Sequence, residues 1–112
     1  MEQKVSHGEL DKNYKKLILK GQWFSSEHAL DRLIERNLRI SDVLVSILNG
    51  EIIETYPEDP RGASCPILGK KDNIPIHTVC GLMNDNLVII TVYLPEPPKW
   101  IDERTRGGKY YE

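Results

Sequence analysis

The apolar pattern of this chain changes period at Gly50, and that change limits the fold more than any other feature. Before it, Leu30, Leu33 and Ile34 recur on one helical face with Leu38 a turn further on, and Val43, Leu44, Ile47 and Leu48 form a second short helical face. After it come β-branched runs of four to ten residues, broken by short polar connectors. The spacing predicts helices over about 26–37 and 42–49, then strands near 51–56, 64–69, 74–83 and 87–94. Two helices followed by a run of strands is the order of an α+β domain: two N-terminal helices packed on a four-stranded antiparallel meander.

The helix ends carry their own signals. Ser25-Ser26 precedes Glu27, placing a capping hydroxyl and then an acid where the first turn exposes unpaired N–H groups. Ser41-Asp42 repeats that start, and Asn49-Gly50 reads as a left-handed stop. The connectors Gly69–Asn73 and Asn84–Asn86 are short enough for hairpins, and Pro95 to Pro98 ends the sheet because proline lacks the ladder donor. Leu30, Leu33, Ile34, Val43, Leu44, Ile47 and Leu48 are expected to bury against Val88, Ile90 and Val92.

At 112 residues one hydrophobic core is expected. The organisation read from the sequence is a polar arm or marginal helix over 1–22, in which Tyr14, Leu17 and Ile18 have helical spacing, one α+β domain over 23–98 and a basic segment over 99–112. No apolar run approaches the roughly 20 residues of a membrane span, and the N-terminus lacks the apolar core of a signal peptide, so a cytoplasmic protein with no membrane partner is expected. Cys65 and Cys80 lack metal-binding spacing and read as reduced structural thiols. No phosphate-binding Gly loop, HExxH or GxSxG occurs, so neither metal nor cofactor is expected. The net charge of −2 hides basic ends and an acidic centre, which counts against broad nucleic-acid affinity.

The polar residues leave two readings open. His28 and Arg32 are four apart on the first predicted helix, which would set a proton-transfer group beside a fixed cation. Equally, His28 is a half-buried structural residue and Arg32 pairs with Glu27, Asp31 or Glu35. His77 alternates away from Ile76 and Thr78. Thr91 and Tyr93 alternate onto the face opposite Val88, Ile90 and Val92. A three-residue hairpin loop at Asn84–Asn86 would set His77 opposite Tyr93, whereas a two-residue loop would separate them. Arg104 and Arg106 follow the proline-rich stretch, with Trp100 suited to anchor that segment to the body.

Four segments in order, Glu27-His28-Ala29-Leu30-Asp31-Arg32 with Arg36, Ile40-Ser41-Asp42-Val43 and Asn49-Gly50-Glu51-Ile52-Ile53-Glu54, Pro75-Ile76-His77-Thr78-Val79 and Ile90-Thr91-Val92-Tyr93, resemble the bacterial family called domain of unknown function 4258. The resemblance covers roughly 25–106 and departs from the common pattern where Asn37-Leu38-Arg39 replaces a Gly-containing turn. It implies similarity to small ribonuclease-type toxins, helices on a four-stranded sheet, and an antitoxin-like protein partner. The expectation that follows is metal-independent RNA cleavage. His28 and His77 would be acid and base in either order, with Arg32 and Tyr93 beside them and Thr91, Arg104 and Arg106 contacting substrate. These groups are expected to meet in one groove between the first predicted helix and the sheet. The rival is a non-catalytic protein-interaction module of the same fold.

Overall fold

A computed structural model describes residues 7–56, 63–97 and 100–105. The chain order is α1 (His7–Leu19), β1 (Trp23–Ser25), α2 (Glu27–Glu35), α3 (Ile40–Leu48), β2 (Glu51–Ile52), β3 (Ser64–Lys71), β4 (Ile74–Met83) and β5 (Asn86–Tyr93). The α+β class is as expected, but the sheet is larger and mixed. Its order is β1-β5-β4-β3-β2, with β2 to β5 an antiparallel meander and β1 added in parallel at the β5 edge. The helices number three among the described residues: α1 sends Tyr14, Leu17 and Ile18 into the core. Three residues, Trp23-Phe24-Ser25, are too few to show an alternation, which is why β1 is silent in the sequence pattern.

Helix α2 starts and stops by local chemistry. The Ser26 hydroxyl accepts from the Ala29 N–H at 3.0 Å and donates to the Ile90 carbonyl at 2.8 Å, so one side chain caps the helix and ties it to β5. At the far end Asn37 takes φ of 56°, the Leu38 N–H donates to the Leu33 carbonyl and the Asn37 N–H to that of Ile34. That pattern is a Schellman motif, with asparagine filling the left-handed position usually held by glycine. Asn37-Leu38-Arg39, where the resemblance implies a Gly-containing turn, therefore closes the helix without glycine.

Helix α3 corrects two expectations. It begins at Ile40, with Arg39 as the cap residue, and it is Asp42 that reaches back to accept from the Arg39 N–H at 2.9 Å. This bond, with the Lys71 ammonium 3.0 Å away, holds the Asp42 carboxyl below its ordinary range. The helix does not end in a left-handed stop, since Asn49 has φ of −96°. Gly50 is needed for space instead: a Cβ there would run into the Leu68 carbonyl, and one at Gly69 into the Ser46 carbonyl. Helix α3 thus lies directly on the β3 backbone.

Both hairpins turn on two residues, Asp72-Asn73 and Asn84-Asp85, all four at positive φ, as tight hairpin turns require. Met83 therefore pairs with Asn86, one residue away from the three-residue-loop register. A β-bulge corrects the offset: Cys80 pairs with Ile89 and Val79 with Thr91, leaving Ile90 as the extra residue. The phase of β5 reverses there. Leu87, Ile89 and Val92 join the core under the helices, while Val88 lies on the other face of the sheet. The expected partners Val88 and Ile90 are thus corrected to Leu87 and Ile89.

The helix side of the core is correspondingly narrower. Leu33, Val43 and Ile47 are buried and Leu44 and Leu48 pack at its margin, but Leu30 and Ile34 are 44% and 79% exposed. Ala29, fully buried, and Leu33 set the α2 contact line, and Leu30 and Ile34 lie about 100° round the helix from it.

Candidate functional site

The face of the sheet away from the helices carries the strongest polar constellation. His77 on β4 alternates with Ile76 and Thr78, which point to the helices, and its strand partners are Leu68 on β3 and Tyr93 on β5. The Tyr93 hydroxyl lies 3.2 Å from His77 Nδ1, and the rings meet edge to face at 5.2 Å. On its other side His77 Nε2 lies 2.7 Å from the Glu103 main-chain carbonyl, and the Trp100 indole stands edge-on at 4.4 Å. A carbonyl only accepts, so Nε2 carries the proton here and Nδ1 accepts from the Tyr93 hydroxyl. His77 is 0% exposed.

What buries His77 is a short strap, residues 100–105, laid across this face. Trp100, 1% exposed, anchors it. The strap then closes on itself: Asp102 Oδ1 accepts from the Arg104 and Thr105 N–H groups at 2.8 and 2.7 Å, and the Ile101 N–H donates to the Thr105 carbonyl at 2.8 Å. Those bonds, the Arg104 amide first, hold the Asp102 carboxyl below its usual range. Two ion pairs fasten the rim, Arg104 to Glu51 and Glu103 to Lys70 at 3.7 Å.

Of the residues singled out in the sequence, four share this region. His77 and Tyr93 are bonded, half-buried Thr91 lies beside Val79 two positions along, and Arg104 sits on the strap. His28 and Arg32 do not join them. Both are on α2, which packs through Ala29 and Leu33 against the opposite face; His28 is exposed and Arg32 is hydrogen-bonded to Glu35. The expected convergence of the two histidines is therefore corrected: the sheet stands between their side chains. Arg106 lies outside the described residues. The groove lies elsewhere too. An open groove of about 480 Å³ runs along the β2–β3 edge, lined by Asn49, Gly50, Glu51, Leu68, Gly69, Lys70 and Arg104.

Sequence reasoning missed Lys70, Glu103 and Glu51. Lys70 was legible in principle: a two-residue turn at Asp72-Asn73 puts it opposite Pro75 and on the Leu68–His77 face. Nothing in the sequence marks Glu103 as a partner of His77. Among the described residues no three or more His, Cys, Asp or Glu side chains are grouped to hold a metal ion, and no helix is long and apolar enough to cross a membrane.

On the near face, Cys65 and Cys80 are direct cross-strand partners, buried and unbridged. Burial pushes the Cys65 thiol up to about 11 and that of Cys80 well above its ordinary value. The Tyr14 hydroxyl, 3.5 Å from Cys65 Sγ, is raised chiefly by burial as well.

Three helices on one face of a mixed sheet, with a histidine–tyrosine pair on the other, define the class as a small two-layer α+β domain. The family model described as domain of unknown function (DUF4258) matches residues 25–94, more than half of the chain, and the chain belongs to that family. The match includes His77 and Tyr93 and ends before the strap. No curated protein and no solved structure matches the chain.

Proposed function

We propose that this protein is a metal-independent, ribonuclease-like enzyme that uses the strap-covered face, with His77 as its proton-transfer group. The observation that carries the reading is the two-sided hold on one imidazole. Nδ1 is held from behind by Tyr93, and Nε2 faces an oxygen atom of a peripheral segment. A base positioned by a second side chain, with its other nitrogen aimed outward, is the arrangement acid–base catalysis needs.

When a ribose takes the place of the Glu103 carbonyl, the imidazole gives its Nε2 proton to solvent and takes one at Nδ1; the Tyr93 hydroxyl then accepts from Nδ1–H and the Nε2 lone pair faces the sugar. The 2′-hydroxyl then attacks the adjacent phosphorus, its proton passing to Nε2. The bond from phosphorus to the 5′-oxygen breaks, that oxygen takes a proton from water, and the hydroxide so formed takes the proton back from Nε2, restoring the neutral imidazole. A positioned group of this kind contributes about 10² to 10⁴-fold. Purified protein incubated with end-labelled RNA in chelator tests this: cleavage that is lost in His77→Ala and kept in His28→Ala supports it.

A second reading, a protein-interaction module that binds an antitoxin-like partner, is favoured by the separation of His28 from His77 and by the exposed Leu30 and Ile34 one turn apart on α2. Absence of cleavage by the wild-type chain and by strap-loosened variants selects it.

A further inference from the structure

Glu103 does two things at once on the His77 face. Its main-chain carbonyl accepts a hydrogen bond from His77 Nε2–H at 2.7 Å, and its carboxylate pairs with Lys70 at 3.7 Å. We propose that Glu103 is an internal stand-in for the backbone of a bound RNA strand, and that Lys70 is the cation that holds a phosphate of that strand once the strap swings away. The inference rests on the reading of His77 as the reacting group.

The placement of Lys70 supports it. The residue follows Leu68 by one pleat on β3, so it shares the face of His77, whose strand partner is Leu68. It also lines the groove beside that face, about half exposed on a flexible stem. An ammonium of this kind binds phosphate as a mobile point charge and needs no fixed geometry. Arg104, the other cation lining the groove, belongs to the strap and leaves with it, so Lys70 is the cation that stays on the sheet.

The strap is built to move as a unit. Its tight turn is closed by Asp102 and by the Ile101–Thr105 bond, both internal, whereas its attachments to the body include one main-chain bond to His77, two rim ion pairs and the Trp100 ring. Exposed ion pairs contribute little individually, and the buried Trp100, whose main-chain N–H also donates to the Glu96 carbonyl at 3.0 Å, is a larger attachment than either. Residues 100 to 105 carry one basic and two acidic side chains, a net charge of −1 like that of a phosphodiester.

A double-mutant cycle on the full-length chain reads this out, with a short fluorescent 2′-O-methyl oligouridylate, which has no free 2′-hydroxyl to react. Glu103→Gln is expected to tighten its binding about two- to five-fold with Lys70 present and to leave it unchanged in Lys70→Ala. Equal tightening in both backgrounds would be a general charge effect and would overturn the proposal, as would no tightening in either. Accessibility of His77 is measured without nucleic acid, by its carbethoxylation with diethyl pyrocarbonate. Trp100→Ala is expected to accelerate that reaction several-fold, and Trp100→Leu, which removes the indole but keeps an apolar side chain, provides a second variant should Trp100→Ala fail to fold. Unchanged His77 reactivity in a folded strap variant overturns the strap as a removable cover. A positive cycle without His77-dependent RNA cleavage would leave the phosphate site standing and remove the catalytic reading alone.

Discussion

Tyr93 stands directly opposite His77 on neighbouring strands although the hairpin joining those strands turns on two residues, because the bulge at Ile90 restores the register that the turn displaces. The pair therefore depends on a local irregularity, and Ser26 fixes that irregularity by bonding to the Ile90 carbonyl. Bulges re-aim side chains next to functional sites in many sheets.

Tyr93→Phe keeps the ring against His77 and removes the hydroxyl that orients Nδ1. We expect RNA cleavage to fall about 10-fold or more with little change in KM, since an orienting group acts chiefly in the transition state. Equal kcat in the two proteins, measured under saturating RNA, would show that the hydroxyl does not position the base.

The core prediction separates two neighbours on α2. Leu33→Ala should destabilise the protein by about 2 to 5 kcal/mol, the usual range for a buried truncation. Ile34→Ala, on the exposed flank, should stay within about 0.5 kcal/mol. Urea titration of the two variants decides it, and equal effects would contradict the placement of α2.

At Gly69 a methyl group has nowhere to go, because the Ser46 carbonyl of α3 occupies its place. Gly69→Ala should lower stability by about 1 to 3 kcal/mol through displacement of α3, the common range for overpacking. A thermal melt that matches the wild type would show that α3 does not rest on β3.

The sequence reading reached the β2–β5 meander, both central helices and the His77–Tyr93 pairing, and its errors have physical causes. Leu30 and Ile34 look like core by helical spacing, yet a nine-residue helix over a sheet edge buries a narrow line, and Ala29 occupies its centre. Period-two counting through β5 failed at Ile90 because a bulge leaves no mark in an all-apolar run. The pairing of His77 with Tyr93 was tied to a three-residue loop; the loop has two residues, and the bulge, which the sequence does not mark, supplies the missing one. His28 was drawn into the site by its spacing from Arg32, which fixes a helix face but not which side of the sheet that helix covers. Trp100 anchors the segment after the prolines as its sequence context suggests, but the contact of Glu103 with His77 was invisible because it uses a main-chain oxygen that any residue would supply.

Alkaline pH should weaken the fold through the helix-covered face of the sheet. The Cys65 thiol is raised from 9.0 to about 11 by burial, so the folded state resists its ionisation. A raised value contributes stability that is complete below the unfolded value and is lost as pH rises through the folded one. Stability is therefore expected to decline between about pH 9 and 11, and Cys65→Ser should show a shallower decline in urea titrations across that window. An identical pH profile for the two proteins would count against burial of the Cys65 thiol.

The most direct test of the account is the rate at which the full-length chain carrying Trp100→Ala and Glu103→Gln cleaves end-labelled RNA in chelator, compared with the same chain carrying His77→Gln in addition. The account predicts faster cleavage than wild type when the strap is loosened, and a fall of about 10² to 10⁴-fold when His77 is then replaced, with circular dichroism confirming that both proteins are folded. Cleavage that survives the loss of His77, or no cleavage by the folded strap-loosened chain, would contradict it.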